Sequence, residues 1–156
     1  LWDTYRALHP LLTITQPGRI DGLINSMLNI YKQQGKLPVW HLSGNETNTM
    51  VGYSAVPVVV DAYMKGHRGF DANLAYEAVK QSAMQKINGI QYIQKLAFIP
   101  ADSVNESVAK ALEYAIDDAC IALMAKSMGK TEDAAYYDKR AKIYKLYFDT
   151  STKYMR

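Results

Sequence analysis

A first cluster of residues that could bind a substrate occurs at the start of the sequence. Trp2 and Asp3 are adjacent, and Arg6 follows about one helical turn later. An aromatic ring can pack on the apolar CH face of a sugar ring, and a carboxylate can accept hydrogen bonds from paired hydroxyls. A structural interpretation is equally simple: a core Trp2, a helix-capping Asp3 and an ordinary ion pair of Arg6. The cluster therefore permits a carbohydrate site without requiring one.

A second polar cluster lies in the stretch from Leu37 to Met50. Four chemically different groups fall close together there: Trp40, His41, Asn45 and Glu46. Loops supported by rigid helices often carry binding residues, so Asn45 and Glu46 are candidates for contact with a ligand or for support of such a site. In the alternative interpretation, Asn45 or Thr47 caps the next helix while Glu46 interacts with the helix dipole.

The remaining ionisable residues give weaker signals. Asp117 and Asp118 are adjacent in a helical segment and point in different directions, which favours a solvated face or a helix–helix contact over a catalytic pair. Asp61 follows an apolar run and fits either a buried carboxylate near a site or a loop anchor. The three histidines lack the spacing of zinc ligands: His9, His41 and His67.

Helical periodicity predicts the elements that position these clusters. Apolar residues recur at intervals of three and four from Ile20 to Tyr31, and Gly35 is a natural helix stop. Similar spacing predicts helices from Asp71 to about Met84, from Val108 to Met124, and from Thr131 onward, and shorter or less regular helices at 3–12 and 50–65. A capping box is predicted at 103–106, and a buried stripe is predicted at Tyr136, Ile143, Tyr144 and Tyr147.

This pattern predicts an all-α fold, in the form of a bundle, a solenoid or part of an α/α toroid. The segments 37–48 and 86–102 are richer in turn residues and are expected to be ordered loops. With 156 residues, of which 49% are hydrophobic, the chain suits one domain with a substantial core. The single cysteine excludes an internal disulfide framework.

Charge and hydropathy exclude two classes of function. A formal net charge of +3 without a basic stripe does not indicate binding to nucleic acid. No apolar run approaches the ~18 residues needed to span a bilayer. We therefore expect neither a nucleic-acid partner nor a membrane span.

Several sequence motifs are collinear along essentially the whole chain. They are Leu1-Trp-Asp-Thr-Tyr-Arg-Ala-Leu-His-Pro-Leu-Leu-Thr13, Gly35-Lys-Leu-Pro-Val-Trp40, Gly44-Asn-Glu-Thr-Asn-Thr-Met-Val-Gly-Tyr53, Asp61-Ala-Tyr-Met-Lys-Gly66, Gly69-Phe-Asp71, Ser107-Val-Ala-Lys-Ala-Leu-Glu-Tyr-Ala-Ile-Asp-Asp118 and Tyr154-Met-Arg156. Together these motifs resemble glycoside hydrolase family 92.

The resemblance implies an exo-acting, calcium-dependent α-mannosidase that inverts the anomeric centre. Family members pair a β-sandwich with an (α/α)6 barrel, so residues 1–156 are expected to be a single partial domain, about the first half of that barrel. The implied partners are mannose-containing glycans such as N-glycans or mannan, the remainder of the barrel and the β-sandwich. The implied location is secreted, periplasmic or on the cell surface of a bacterium.

The resemblance also limits the site residues expected here. The family motifs that carry the acid and base, of the type Glu-Gly-Asn-Ala-Trp and Gly-Asn-Asp/Glu-Asp-Cys-Gly, do not occur in this sequence, so no catalytic residue is predicted before Arg156. Trp2, Asp3, Asn45 and Glu46 are predicted to form part of the mannose pocket. Most calcium ligands are expected outside the chain. Ser54 departs from the family pattern, where many members have His.

Two other functional classes remain open from the sequence. A catalytically silent helical module would bind mannose through Trp2, Asp3 and Glu46 without turnover. A structural scaffold would lose stability but no sugar interaction when Asp3 or Glu46 is replaced.

Overall fold

The computed structural model describes all 156 residues and is mostly helical. The α-helices are α1 (Leu8–Thr15), α2 (Ile20–Gln34), α3 (Ala55–Met64), α4 (Ala72–Ala83), α5 (Ile90–Leu96), α6 (Ser107–Ser127) and α7 (Thr131–Ala141). Two 3-10 turns occupy Pro17–Arg19 and Ile143–Leu146, and strands β1 (His41–Leu42) and β2 (Asn45–Glu46) form an antiparallel hairpin. The predicted all-α class is confirmed.

Helix α6 lies at the centre of the packing. It contacts α7, α3 and α4, while α2 packs on α3 and α4. Helix α3 is buried along nearly its whole length, because eight of its ten residues contribute to the core. None of the helices is both long and apolar enough to cross a bilayer.

The strongly periodic helices agree with the sequence. Helix α2 buries the predicted apolar face and ends at Gly35, whose φ of 76° is left-handed and whose N–H bonds to the Tyr31 carbonyl. The cap of α4 is also confirmed, since the Asp71 side chain accepts hydrogen bonds from the backbone N–H groups of Asn73 and Leu74 at 2.9 and 3.0 Å.

The first and third helices begin later than predicted. Residues 2–7 form turns, and α1 begins at Leu8 with Pro10 inside its first turn, where a missing N–H is tolerated. Helix α3 begins at Ala55 instead of Met50, and Pro57 likewise falls in its first turn. The first helix, predicted over 3–12, also ends later than predicted, at Thr15.

Three further predictions fail for local reasons. Helix α5 occupies the segment predicted as a loop, and its seven residues are too few to display a period. The predicted capping box is wrong, because α6 begins at Ser107 after a left-handed Glu106 (φ 57°). Ile143 and Tyr147 are buried, but Tyr136 and Tyr144 are each 40% exposed. Helix α7 buries Tyr137 and Arg140 instead of Tyr136, and the α-helical phase ends before Tyr144, which lies in a 3-10 turn.

Candidate functional site

The first polar cluster precedes α1 and is not part of a helix. Trp2 is partly buried and its indole N–H has no hydrogen-bond partner, whereas Asp3 is exposed. The residue before α1 is Ala7, so the interpretation of Asp3 as a helix cap is wrong. The exposed Asp3 carboxylate is therefore available to accept hydrogen bonds from a ligand.

Arg6 connects this cluster to α6. Its guanidinium carbon lies 4.8 Å from the Trp2 ring centroid and 4.7 Å from the Tyr5 ring centroid, and its Nη2 forms an ion pair with Glu113. The Tyr5 hydroxyl donates to the other oxygen of Glu113 at 2.8 Å. Burial, together with this carboxylate, raises the pKa of Tyr5, so the hydroxyl stays protonated and remains a donor.

The second polar cluster forms a hairpin. His41 pairs with Glu46 and Leu42 with Asn45, and the two turn residues Ser43 and Gly44 have φ values of 52° and 79°. Positive φ at both positions is typical of a two-residue hairpin turn. Because α3 begins only at Ala55, the interpretation of Asn45 or Thr47 as its cap is wrong.

Glu46 organises the loop around this hairpin. Its carboxylate accepts backbone N–H groups of Val39 at 2.7 Å, Trp40 at 2.9 Å and Asn48 at 2.9 Å. Burial alone would raise the pKa of Glu46, but these donors and nearby Lys36 lower it below the ordinary value. A general acid needs a raised pKa, so this environment favours the supporting role of Glu46. Contact of Glu46 or Asn45 with a sugar stays a prediction.

The chain segments that carry the two clusters contact each other at the loop before the hairpin, and both lead to α6. The backbone nitrogen of Leu1 lies 3.2 Å from the Val39 carbonyl oxygen. The segment that follows the hairpin reaches α6 at Tyr53, whose N–H donates to Asp117 at 2.8 Å and whose hydroxyl donates to Asp118 at 2.6 Å. The Tyr53 ring stacks on that of Tyr114, with centroids 5.0 Å apart. Helix α6 thus contacts the first cluster through Glu113 and anchors the segment that follows the second cluster through Tyr53.

Asp117 and Asp118 are both fully buried, so the predicted solvated face is wrong and the predicted helix–helix contact is confirmed for Asp118. Asp118 accepts a hydrogen bond from Nε of Arg140 on α7 at 2.8 Å. Burial raises the pKa of Asp118 to about 6 against the opposing effects of Arg140 and Tyr53.

Asp117 has no cation in direct contact. Burial raises its pKa well above the ordinary value, the Tyr53 N–H opposes that shift, and the neighbouring Asp118 and Glu113 carboxylates add to it. Its second oxygen has no hydrogen-bond partner. Sequence reasoning missed Glu113 and the anchoring role of Asp117; the available signal was a set of acidic residues at core positions of an otherwise apolar helix.

The side chains of this chain do not by themselves fit a calcium ion. No group of three or more His, Cys, Asp or Glu residues is close enough to hold a metal. Asp61 is partly exposed and pairs with Lys65 at 2.8 Å, so it serves neither as a buried carboxylate nor as part of the two polar clusters. Ser54 is buried beside the start of α3, and its hydroxyl has no partner.

Comparison with known proteins identifies the class. A family model described as the Glycosyl hydrolase family 92 catalytic domain matches residues 1–156. The chain is thus a helical part of a glycoside hydrolase catalytic domain. It belongs to glycosyl hydrolase family 92, as its motifs predicted.

Solved structures of this family superimpose closely. The family GH92 α-mannosidase BT3965 from Bacteroides thetaiotaomicron is 45% identical with a TM-score of 0.96, and the match covers 100% of this chain and 22% of that protein. The family GH92 inverting mannosidase BT2199 from Bacteroides thetaiotaomicron VPI-5482 is 35% identical with a TM-score of 0.94. This match covers 99% of this chain and 22% of that protein.

A curated relative from Arthroderma benhamiae is described as an uncharacterized secreted glycosidase. It is 28% identical, and the match covers 83% of this chain and 19% of the relative. The chain therefore spans about a fifth of the length of the relatives that it matches.

Proposed function

We propose that the protein carrying this chain is an inverting exo-α-mannosidase, which releases mannose from α-mannosides such as N-glycans or mannan. The observation that carries the proposal is the superposition of the entire chain, at a TM-score of 0.96 and 45% identity, on a protein described as an α-mannosidase. The inverting outcome is supported by the second relative, which is described as an inverting mannosidase.

Within that enzyme, residues 1–156 contribute one wall of the mannose pocket. Trp2 supplies an aromatic surface, and the exposed Asp3 carboxylate accepts hydrogen bonds from sugar hydroxyls. Asn45 is exposed beside the hairpin turn and is proposed to contact the glycan, while Glu46 stabilises that loop through its three backbone contacts.

The catalytic carboxylates come from elsewhere in the domain. An inverting glycosidase needs an acid and a base about 6.5–9.5 Å apart, with room for a water molecule between them. Asp117 and Asp118 are sealed inside the helical core, so neither is accessible to a substrate. Most ligands of the calcium ion are likewise proposed to lie outside this chain, since no group of three or more His, Cys, Asp or Glu residues here could hold a metal.

The proposal extends to location and assembly. One relative is described as secreted, which supports export of this protein, and we propose a secreted, periplasmic or cell-surface location in a bacterium. The remainder of an (α/α)6 barrel and a β-sandwich are its proposed structural partners.

Kinetics of the intact protein test the proposal. We expect mannose release from an aryl α-mannoside, with β-mannose as the first product by NMR. Asp3→Ala should lower kcat/KM by about 10- to 100-fold, because a hydrogen bond to a charged group contributes about 1.5–3 kcal/mol. The matched control is Asp138→Ala, because Asp138 is exposed on α7 and makes its ion pair within one turn of that helix.

The alternatives predict different outcomes. Mannose binding without turnover favours the silent binding module, and an Asp3→Ala variant that loses stability without any change in sugar interaction favours the scaffold. Mannose release that survives thorough chelation contradicts the calcium requirement.

A further inference from the structure

Glu113 is the residue of α6 that contacts the first polar cluster and also lies beside the segment that follows the second. It is only 9% exposed, and both carboxylate oxygens are used: one accepts from the Tyr5 hydroxyl at 2.8 Å, the other pairs with Arg6. Its β-carbon would lie 3.1 Å from a β-carbon built on Gly52, in the segment that follows the hairpin. The backbone of that segment therefore passes directly over Glu113.

The turn segment 2–7 depends on such contacts because it lies outside any helix. A single side chain on α6, Glu113, forms both of its hydrogen bonds to that helix, and it lies more than one hundred residues away in sequence. Of the two donors to Glu113, Tyr5 is a buried core residue, whereas the Arg6 side chain is 45% exposed and extends toward the surface.

Arg6 contacts both Glu113 and the Trp2 ring, so the position of its guanidinium depends on Glu113 and in turn supports Trp2. The guanidinium carbon stands 4.8 Å from the Trp2 ring centroid, which is within the range of a cation–π contact. A guanidinium held by a carboxylate has a defined plane, so the ring stacked on it also has a defined orientation. If the charge of Glu113 is removed, Arg6 is free to turn into solvent and the support of Trp2 is lost.

We propose that Glu113 is a positioning residue for sugar binding: its carboxylate, acting through Arg6, holds the Trp2 ring in the orientation that accepts mannose. This inference rests on the proposed function of the pocket. Support of this kind preorganises a binding site. Loss of this support weakens the binding of the substrate and of the transition state equally, which raises KM and leaves kcat almost unchanged.

The test is Glu113→Gln in the intact protein. The amide oxygen still accepts from Tyr5, but the charge that holds Arg6 is gone. We expect KM for the aryl mannoside to rise about tenfold, with kcat within about twofold. Glu132→Gln makes the same chemical change at an exposed position of α7 and should alter neither constant.

A double variant separates positioning from a general structural effect. If Glu113 acts through Arg6, then Glu113→Gln combined with Arg6→Gln raises KM no more than Arg6→Gln alone. If Glu113→Gln fails to fold, Arg6→Gln tests the same link at a partly exposed position, and an unchanged KM there overturns the proposal.

The remaining outcomes distinguish this inference from the proposed function. An unchanged KM in Glu113→Gln, a fall in kcat alone, or multiplicative effects in the double variant overturn the positioning role. If Asp3→Ala raises KM while Glu113→Gln does not, only the positioning role fails. If the wild-type protein releases no mannose, both proposals fail.

Discussion

At the scale of single residues, Asp117 is the most unusual group in the chain. Its carboxyl group is completely buried and lies near two like-charged groups, Glu113 and Asp118. Arg6 favours the ionised form from a distance and the Tyr53 N–H does so directly, but burial dominates and raises the pKa of Asp117 well above its ordinary value. The folded protein therefore binds a proton here more tightly than the unfolded chain does.

This difference predicts a pH dependence of stability. Between the ordinary pKa near 4 and the raised folded-state pKa, the folded state binds more protons, so the free energy of unfolding falls as the pH rises through that window. Asp117→Asn keeps an oxygen acceptor for Tyr53 and removes the titration. We expect denaturant unfolding at pH 5 and pH 8 to show a smaller loss of stability in the variant, by on the order of 1 kcal/mol or more.

Asp138→Asn is the matched control, because Asp138 is exposed and its partner, Lys142, lies one turn further along the chain. It should keep the wild-type pH dependence. If wild type and Asp117→Asn lose the same stability between the two pH values, then Asp117 is ionised in the fold and the argument from burial is wrong.

At the scale of elements, close contact between the post-hairpin segment and α6 requires Gly52. This residue has a φ of 91°, and a β-carbon there would stand 3.1 Å from the β-carbon of Glu113 and 3.3 Å from an oxygen of Asp117. Both the backbone conformation and the lack of space oppose any larger side chain. The next residue, Tyr53, makes the hydrogen bonds that anchor the segment.

Gly52→Ala should therefore destabilise the fold more than a substitution at a glycine that has a positive φ but no close neighbouring atoms. Gly44→Ala provides that comparison, since Gly44 has a φ of 79° and a β-carbon added there would have no neighbouring atom within 4 Å. In denaturant unfolding, we expect the free energy of unfolding to fall by about 1 kcal/mol for Gly44→Ala and by about 2–4 kcal/mol for Gly52→Ala. Equal losses would show that the segment shifts away from α6 without penalty.

The elements also show which features the sequence could predict. Helices α2, α4, α6 and α7 have long apolar periods and were recognisable from them, as was the cap at Asp71. Helix α5 is too short for a period. The start of α3 was obscured because apolar residues before Ala55 continue the apolar run into a loop that is itself partly buried.

In the predicted site, too, some features follow from the sequence and others depend on tertiary packing. Trp2, Asp3 and Glu46 could be selected as candidates from their chemistry and from family motifs, but the contacts that α6 makes with the neighbouring segments could not be predicted. Glu113 is separated from Tyr5 by 108 positions, and Asp117 is separated from Tyr53 by 64. Helical spacing places these carboxylates on α6 without showing what they contact, and only the packing of the segments on that helix supplies the partners.

At the scale of the whole molecule, the chain leaves large apolar side chains uncovered. On α6, Ile116 and Leu123 lie two turns apart on one side of the helix and are 45% and 55% exposed, and Ile14 of α1 is 76% exposed. In the solved relatives, the matching segment makes up only 22% of a longer chain. Surfaces of this kind are typical of contacts with another part of a protein.

We therefore expect the isolated 156-residue chain to self-associate. At micromolar concentration, light scattering after size exclusion should give a mass above 17.6 kDa, and Ile116→Lys combined with Leu123→Lys should shift the mass toward the monomer. Because burial of apolar surface is worth about 25 cal/mol per Å2, two large side chains on one helix face are enough to change such an equilibrium. Two lysine replacements at exposed Ala135 and Ser127 control for the added charge. A monomeric wild-type chain with a sharp two-state melt would show that these side chains tolerate solvent and that this helical segment is stable alone.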